Sequence, residues 1–359
     1  MKLPPEIKSI VDQVAEMVSP CYLVGGSVRD ILLGRKTNDL DFCCKHTPDE
    51  IEDAVRAAGR RAYLVGKKFG TIGCKVGGQK IEITTFRQES YKNGYRKPEV
   101  EFVGDIVSDL SRRDFTINAM AIRDNGKFID PFNGRTDLKE GIIECVGSPK
   151  TRFREDPLRI LRAARFLSQL DNTENLHRPS TEPEVWFQNF GIEMGTFNKM
   201  KELSYKLLSI SKERWVMELD KILESNKPDV GLYALMETKC FNFMIPELSL
   251  QDGYDQNSSW HSLPLWQHTL EVVRECPPEL NLRWAALLHD CAKPFVRVDK
   301  KDPVRGTYAK HDILGYEMVK RIGLHLKWSN DRIKNVSELV RDHLSDDSPL
   351  KEFDDRAKG

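Results

Sequence analysis

The spacing of apolar residues predicts a helix, a strand, a glycine turn, a second helix and a second strand within the first 42 residues. Residues 4–18 carry apolar side chains at helical intervals. A short apolar run then ends at Gly25 and Gly26, and a second helical pattern leads to a strand that carries Asp39 and Asp41. We expect the rest of the chain to be organised around this stretch.

The residue types in this stretch favour phosphate and metal chemistry. Two glycines allow a tight turn and close approach to a ligand, and the N–H groups that follow, with Ser27, can bind an anion such as a triphosphate. Asp39 and Asp41 are two apart on a strand, so both project from one face and suit Mg²⁺. A structural turn and a solvated strand edge are the alternative interpretation.

Further strands are predicted over residues 61–65, 71–76 and 80–85, after a helix that begins with Thr47 as its cap. Glu82 alternates with apolar neighbours, so it is a candidate third carboxylate beside the aspartate pair. An exposed strand glutamate is the competing interpretation.

Basic and aromatic residues alternate over residues 87–97. This combination is typical of surfaces that contact phosphate or the single-stranded end of an RNA, and a solvated loop is the alternative. The polar, proline-containing residues 171–184 predict a mobile insertion.

The run FREDPLRILRAARFL predicts a helix that starts at Pro157, with Arg159, Arg162 and Arg165 forming a basic stripe. Asp156 and Arg159 are three apart, which would point them the same way. An acceptor beside a donor matches the amino group and ring nitrogen of cytosine and of adenine, and it repels uracil and guanine. An ordinary salt bridge within the helix would explain the same pair.

Histidines and an aspartate recur on successive helical segments near the C-terminal end of the sequence. Imidazole and carboxylate groups in such a cluster suit a transition metal that activates water. The alternative is a helical body that keeps this fold only to bind RNA. The candidate ligands are His268, His289, Asp290 and His311, with His343 on the next segment.

Composition indicates the size, the charge and the cellular compartment of the protein. The 359 residues are enough for two or three domains, and 55 Lys and Arg balance 55 Asp and Glu, so nucleic acid must be bound by local patches. The N-terminal residues lack the apolar core of a signal peptide, and no apolar run is long enough to span a membrane, so we expect a cytoplasmic protein. The eight cysteines show no zinc-ligand spacing and are expected to be reduced thiols.

Several motifs resemble one family. The run GGSVRDILLG followed by DLD is similar to the signature of class II CCA-adding enzymes and bacterial poly(A) polymerases, which belong to the nucleotidyltransferase superfamily related to DNA polymerase beta. The runs DLSRRDFTINAMAI, EDPLR and ERWVMEL resemble further motifs of that family. The adjacent His289 and Asp290 resemble the mark of HD-superfamily metal phosphohydrolases.

The resemblance implies an α+β fold: a polymerase-beta-like head with a mixed sheet over residues 1–145, an all-α neck for base selection over 146–225, and a helical body with an HD-like domain over 226–359. It implies tRNA as partner, contacted at its acceptor stem and 3′ end, with CTP and ATP as substrates and Mg²⁺ as cofactor. Fuller family members often continue with a further helical tail.

The family's functional residues map onto this chain as follows. The implied set is Asp39 and Asp41 for Mg²⁺; Gly25, Gly26, Ser27 and Arg29 for the triphosphate; Arg113, Asp114 and Asn118 for the nucleotide; Asp156 and Arg159 for the base, with Arg162 and Arg165 beside them; and Glu213 and Arg214 as braces.

Four functions remain open from the sequence. The first is complete CCA addition to tRNA with release of pyrophosphate. A specialist that adds only CC or only A shares the same motifs, and so does a poly(A) polymerase. A phosphohydrolase that acts through His289 and Asp290 is the alternative from another class. The oligomeric state is not indicated.

Overall fold

The computed structural model describes residues 2–37, 39–90, 99–171, 190–257, 263–301 and 304–358. These residues form two units. One contains residues 2–156 and 190–196, and we call it the head; the other contains residues 157–171 and 197–358, and we call it the helical unit.

The head is built on a six-stranded mixed sheet. Its strands are β1 (Cys21–Val24), β2 (Leu40–Cys44), β3 (Thr71–Val76), β4 (Gln79–Thr85), β7 (Ala121–Arg123) and β8 (Phe128–Ile129). They lie in the order β3-β4-β2-β1-β7-β8. Strands β2 and β4 are parallel, and the other neighbours are antiparallel.

Shorter pairs complete the strands of the head. Strand β5 (Arg87–Ser90) pairs with β6 (Glu99–Phe102), and β9 (Ile142–Ile143) pairs with β10 (Gly191–Ile192). The helices of the head are α1 (Pro5–Val18), α2 (Gly26–Leu32), α3 (Pro48–Ala57), α4 (Ile106–Ser111), α5 (Gly134–Glu140) and α6 (Pro149–Glu155), and a 3-10 turn spans Thr116–Asn118.

Alternation along the strands buries one face of the sheet and leaves part of the other face open. On β3, Ile72, Cys74 and Val76 are buried beneath α1 and α3, which pack on that side. The opposite side chains Lys75, Lys80 and Glu82 are exposed. A second apolar cluster, which includes residues of α4, covers only one end of this second face. The open part of the sheet is therefore available for ligands.

The helical unit is a bundle around three fully buried tryptophans, Trp215, Trp266 and Trp284. The ring of Trp284 packs edge-on against Trp328 with 4.8 Å between centroids. Its helices are α7 (Leu158–Leu170), α8 (Met194–Leu203, which begins in the head), α9 (Lys212–Leu223), α10 (Pro228–Glu237), α11 (Phe241–Met244), α12 (Pro246–Ser249), α13 (Leu265–Glu275), α14 (Leu280–Leu288), α15 (Lys293–Val296), α16 (His311–His325), α17 (Asn330–Arg341) and α18 (Lys351–Ala357). A short antiparallel pair joins β11 (Val298–Lys301) to β12 (Val304–Thr307).

Most predicted elements of the head are confirmed, including α1, β3, β4 and the helix capped by Thr47, which forms a complete capping box with Glu50. The strand predicted over residues 61–65 is wrong: only Tyr63 makes a bridge, to Gly73, because the chain turns immediately afterwards into the 3-10 turn Lys67–Phe69. Most of the RNA-contact stretch 87–97 and of the insertion 171–184 lies outside the described residues. Among the described residues, no helix is both long and apolar enough to cross a membrane.

The start of α5 supports the turn that carries Asn118, and Gly134 makes this contact possible. A Cβ atom at Gly134 would lie 2.1 Å from the carbonyl oxygen of Thr116. We predict that Gly134→Ala lowers the free energy of unfolding by about 1–3 kcal/mol, because the backbone must move. Gly104→Ala is the control, since a Cβ there meets nothing within 4 Å. Equal thermal denaturation midpoints for the two variants would contradict this packing.

Candidate active site and metal centre

The glycine turn after β1 is surrounded by guanidinium groups. Gly25 has φ 70°, and a Cβ there would lie 2.8 Å from Nη1 of Arg113. A Cβ at Gly26 would lie 3.5 Å from Nη2 of Arg29. Because the two glycines have no side chains, the guanidinium groups of Arg29 and Arg113 lie close to the turn. An anion bound there would contact both of them.

Ser27 joins this turn to the strand that carries the aspartates. Its buried hydroxyl donates to the carbonyl oxygen of Asp39 at 2.8 Å, and it accepts from the N–H of Asp41 at 3.2 Å. Asp39 directly precedes β2, whereas Asp41 lies within it, and both residues are exposed on either side of the buried Leu40. The predicted phosphate turn and the predicted metal strand are therefore held together by one side chain.

Asp41 and Glu82 lie side by side, because they are register partners on the parallel strands β2 and β4. Desolvation of the carboxyl group raises the pKa of Asp41, and the nearby charge of Glu82 raises it further. Such a cluster of carboxylates favours a bound divalent cation, which removes the repulsion. This arrangement fits the magnesium site that the sequence predicts, with Glu82 as its third carboxylate.

A second network holds the residues of the DLSRRDFTIN motif against the turn. Nη1 of Arg29 donates to Oδ1 of Asn118 at 2.8 Å, and Nδ2 of Asn118 donates to Oδ1 of Asp114 at 3.1 Å. Buried Asp109 accepts from Arg112 at 2.8 Å and from Arg113 at 3.1 Å. Although burial alone would raise the pKa of Asp109, these two cations hold it below its ordinary value. The predicted nucleotide-binding residues Arg29, Arg113, Asp114 and Asn118 are thus brought together.

The predicted base-reading pair is not on one helix. Asp156 follows α6 with extended backbone angles (φ −140°, ψ 99°) and belongs to the head, whereas buried Arg159 lies in the first turn of α7 in the helical unit. Helical spacing therefore does not set the relative direction of the two side chains. The base-reading role of Asp156 and Arg159 stays a prediction.

The arginines of α7, which the sequence predicts as a basic stripe, are largely covered in the structure. Arg159 and Arg165 are buried, and Arg162 is half-buried with its guanidinium over the ring of Phe166. The reason is that α7 packs against both α9 and α10, so most of its surface is covered.

Glu218 on α9 is a supporting residue that sequence reasoning missed. Its buried carboxylate lies 3.1 Å from Nε of Arg165, whereas Glu213, which the sequence favours as a brace, pairs with Lys327 at the surface. Helical periodicity would have identified it, because Glu218 lies on the inner side of α9 with buried Trp215 and Leu219.

A cluster of histidines and aspartates is buried inside the helical unit, with Asp290 at its centre. Oδ2 of Asp290 lies 3.0 Å from Nε2 of His289 and 3.6 Å from Nε2 of His268, and Oδ1 lies 3.2 Å from Nε2 of His311. The Nε2 atoms of His311 and His343 lie 3.1 Å apart. Burial alone would raise the pKa of Asp290, but His289 and Lys293 together hold it well below its ordinary value.

The hydrogen bonds of these histidines fit metal ligands. Nδ1 of His289, His311 and His343 lies 2.6–2.7 Å from a backbone carbonyl oxygen, which places the proton on Nδ1 and directs the lone pair of Nε2 inwards. Burial, followed by the charge of His289, lowers the pKa of His343 to about 4. The Nε2 lone pairs of His311 and His343 face each other at 3.1 Å, and a bound cation would relieve their repulsion.

The ligand atoms fall into two groups, each within 4.8 Å: His268, His289 and Asp354, and Asp290, His311 and His343. Both oxygens of Asp290 are buried and accept no hydrogen bond of regular geometry, although Nζ of Lys293 lies 2.6 Å from Oδ2. Asp354, whose Oδ1 lies 3.0 Å from Nε2 of His268, was not predicted, because it lies on α18 without a histidine neighbour in the sequence. These residues fit a centre of one or two transition-metal ions.

Three family models match this chain in sequence order. The poly A polymerase head domain matches residues 21–144, the probable RNA and SrmB binding site of polymerase A matches residues 189–251, and the HD domain matches residues 261–358.

A CCA-adding enzyme of Ligilactobacillus salivarius is 40% identical over 245 residues, which are 67% of this chain and 55% of that protein. The chain thus spans a little over half the length of such curated relatives. The crystal structure of the Bacillus stearothermophilus CCA-adding enzyme in complex with CTP is similar at 26% identity and TM-score 0.59, covering 99% of this chain and 82% of that one. A tRNA nucleotidyltransferase complexed with a primer tRNA and an incoming ATP analog is similar at 25% identity and TM-score 0.57, covering 97% and 96%.

The two glutamates of α9 offer a matched test of the site's supporting contacts. We predict that Glu218→Ala lowers the free energy of unfolding by roughly 3 kcal/mol, since it removes a buried carboxylate that lies 3.1 Å from the buried Arg165. Glu213→Ala should change stability little, because its ion pair with Lys327 is exposed. Urea denaturation of both variants measures the difference, and similar midpoints would show that the Arg165 contact is not a brace.

Proposed function

The chain belongs to the family of class II CCA-adding enzymes and bacterial poly(A) polymerases, and from this premise we propose that it adds CCA to the 3′ end of tRNA from CTP and ATP. The observation that carries the proposal is the pair of hydrogen bonds made by the Ser27 hydroxyl. They hold a glycine turn lined by two arginines beside the paired carboxylates of β2 and β4. The similar enzymes with bound CTP or with tRNA and an ATP analog support it.

In the proposed reaction the 3′ hydroxyl of the tRNA attacks the α-phosphate of the nucleotide, and pyrophosphate leaves. Asp39 and Asp41, with Glu82 beside them, would hold Mg²⁺. When bound there, magnesium favours ionisation of the attacking hydroxyl and neutralises charge on the phosphates. Gly25 and Gly26 leave room for the triphosphate, on which Arg29 and Arg113 act as cations.

Nucleotide recognition is assigned to two sets of residues. Asp114 and Asn118, joined by their hydrogen bond, would position the ribose. Asp156 and Arg159 would select cytosine and adenine by offering an acceptor and a donor, and uracil and guanine would meet like groups. Arg165, held by Glu218, supports the helix that carries Arg159.

The partner in this proposal is tRNA, bound at its acceptor stem and 3′ end. Residues 189–251, which match an RNA-binding model, support that assignment. The eight cysteines are all free and buried, which fits the reducing conditions of the cytoplasm, where we expect the protein to act.

We predict that Asp39→Ala and Asp41→Ala each abolish magnesium-dependent extension of a tRNA transcript that lacks CCA, because each removes a proposed ligand of the ion. Product length on a denaturing gel with CTP and ATP measures the effect. Asp53→Ala is the control, since this exposed carboxylate lies on α3, on the opposite face of the sheet. Extension that survives loss of both aspartates would refute the assignment.

A second candidate function is metal-dependent phosphohydrolysis in the helical unit. The buried histidine and aspartate cluster favours it, because several histidine Nε2 atoms point towards Asp290, whose oxygens accept no hydrogen bond of regular geometry, and such groups are suitable ligands for a transition metal. A bound metal ion there would supply an activated water for attack on a phosphate ester.

We predict that the chain binds up to two transition-metal ions and that Asp290→Asn removes both, since its two oxygens face both groups of ligands. Metal content after incubation with Mn²⁺ or Ni²⁺ and dialysis measures the stoichiometry, and bound metal should raise the thermal midpoint. His325→Ala is the control, because this exposed histidine lies outside both groups. Unchanged metal content in Asp290→Asn would contradict the metal centre.

A further inference from the structure

The open face of the head sheet continues beyond the carboxylates to an aromatic ring. Four residues are register partners in one row across the strands: Asp41 beside Glu82, Glu82 beside Gly73, and Gly73 beside Tyr63. Partners in such a row project from the same face of a sheet. With strands about 4.8 Å apart, the backbone of Tyr63 lies roughly 14 Å from that of Asp41.

Gly73 leaves the space between the ring and the carboxylates open. A Cβ at Gly73 would lie 3.4 Å from Cβ and 3.8 Å from Cδ2 of Tyr63, so the ring leans over the glycine towards Glu82. Tyr63, Gly73 and Glu82 all line one cavity of about 750 Å³. Arg61 holds its guanidinium 5.6 Å from the centre of the Tyr63 ring, which puts a cation beside the aromatic surface.

Two lysines lie on the same face, two residues further along each strand. Lys75 and Lys80 are directly opposite each other on β3 and β4, both are exposed, and both line the cavity. Like charges in this position destabilise a sheet. Neither lysine forms an ion pair with an acidic residue in the described part of the chain. The lysine pair does not stabilise the fold, whereas a polyanion bound to this face would be attracted by both lysines.

The positions of the attacking and leaving groups in the proposed reaction indicate which polyanion would bind this face. Attacking and leaving oxygens lie roughly in line in phosphoryl transfer. The cradle assigned to the leaving pyrophosphate follows β1, on one side of β2, whereas Glu82, Gly73 and Tyr63 extend from β2 to the other side, through β4 and β3. An acceptor strand in line with that leaving group would approach across β4 and β3.

We propose that this face binds the single-stranded 3′ end of the RNA acceptor, with its terminal base stacked on Tyr63 and its phosphates on Lys75 and Lys80. The inference rests on the proposed function, because it assigns the second substrate of the same site. Stacking suits this substrate: the terminal base changes with every addition, and a ring accepts any base, whereas a hydrogen-bonding pocket would not. Tyr63 is then a positioning residue that directs the 3′ hydroxyl towards Asp41 and Glu82.

The test uses the full chain and a tRNA transcript that ends before CCA, with 2-aminopurine as its last base. Without nucleotide, binding to the wild-type protein should quench the probe, because the base stacks on an aromatic ring. Tyr63→Ala should lose most of the quench and raise the KM for tRNA about tenfold, with the KM for CTP unchanged. Tyr63→Phe should behave like the wild type, since it keeps the ring.

The lysines have a separate readout and control. Lys75→Ala and Lys80→Ala should weaken tRNA binding and reduce its salt dependence, because each removes a phosphate contact. Lys127→Ala should do neither, since this exposed lysine lies in the turn between β7 and β8, at the opposite edge of the sheet.

The outcomes separate this subsite from the proposed function. Wild-type protein that extends tRNA while Tyr63→Ala keeps the quench and the KM for tRNA would overturn the subsite alone. Wild-type protein that adds no nucleotide would overturn the proposed function, and the quench in the binding assay would still decide whether Tyr63 receives the terminal base.

Discussion

The geometry of the proposed active site in the head depends on one buried hydroxyl group. Ser27 lies at the start of α2, and its two hydrogen bonds reach the backbone on both sides of Leu40. They set the distance between the arginine-lined glycine turn and the carboxylates of β2. Because they involve backbone atoms of the strand, they leave the carboxylates of Asp39 and Asp41 available for a metal ion. The remaining contacts of the site surround these two hydrogen bonds.

Both candidate sites bring groups of like character close together, although Arg113 in the head and Lys293 in the helical unit balance part of the acidic charge. In the head, Asp41 and Glu82 repel each other on adjacent strands, while Lys75 and Lys80 do the same on the neighbouring part of the open face. In the helical unit, histidine Nε2 atoms converge around Asp290, and those of His311 and His343 lie 3.1 Å apart. Such arrangements cost stability in the absence of ligands. Metal ions, a triphosphate and an RNA strand are the ligands whose charges would relieve them.

The sequence predicts well those features that depend on neighbours along the chain. The glycine turn, the aspartate strand and the capped helix after Thr47 follow from local patterns, and the structure contains all three. It predicts poorly the contacts that depend on tertiary packing. Asp354 reaches the metal cluster from the last helix, Glu218 contacts Arg165 from another helix, and the backbone turns between α6 and α7 where helical spacing was assumed.

Sequencing the product decides whether this chain builds CCA on tRNA. A transcript that lacks CCA would be incubated with the protein, Mg²⁺ and all four nucleoside triphosphates, and the added 3′ nucleotides would be read. We expect two C residues followed by one A, with no further addition and no U or G. A product that stops at CC, contains only A, or continues into an A tract would contradict it.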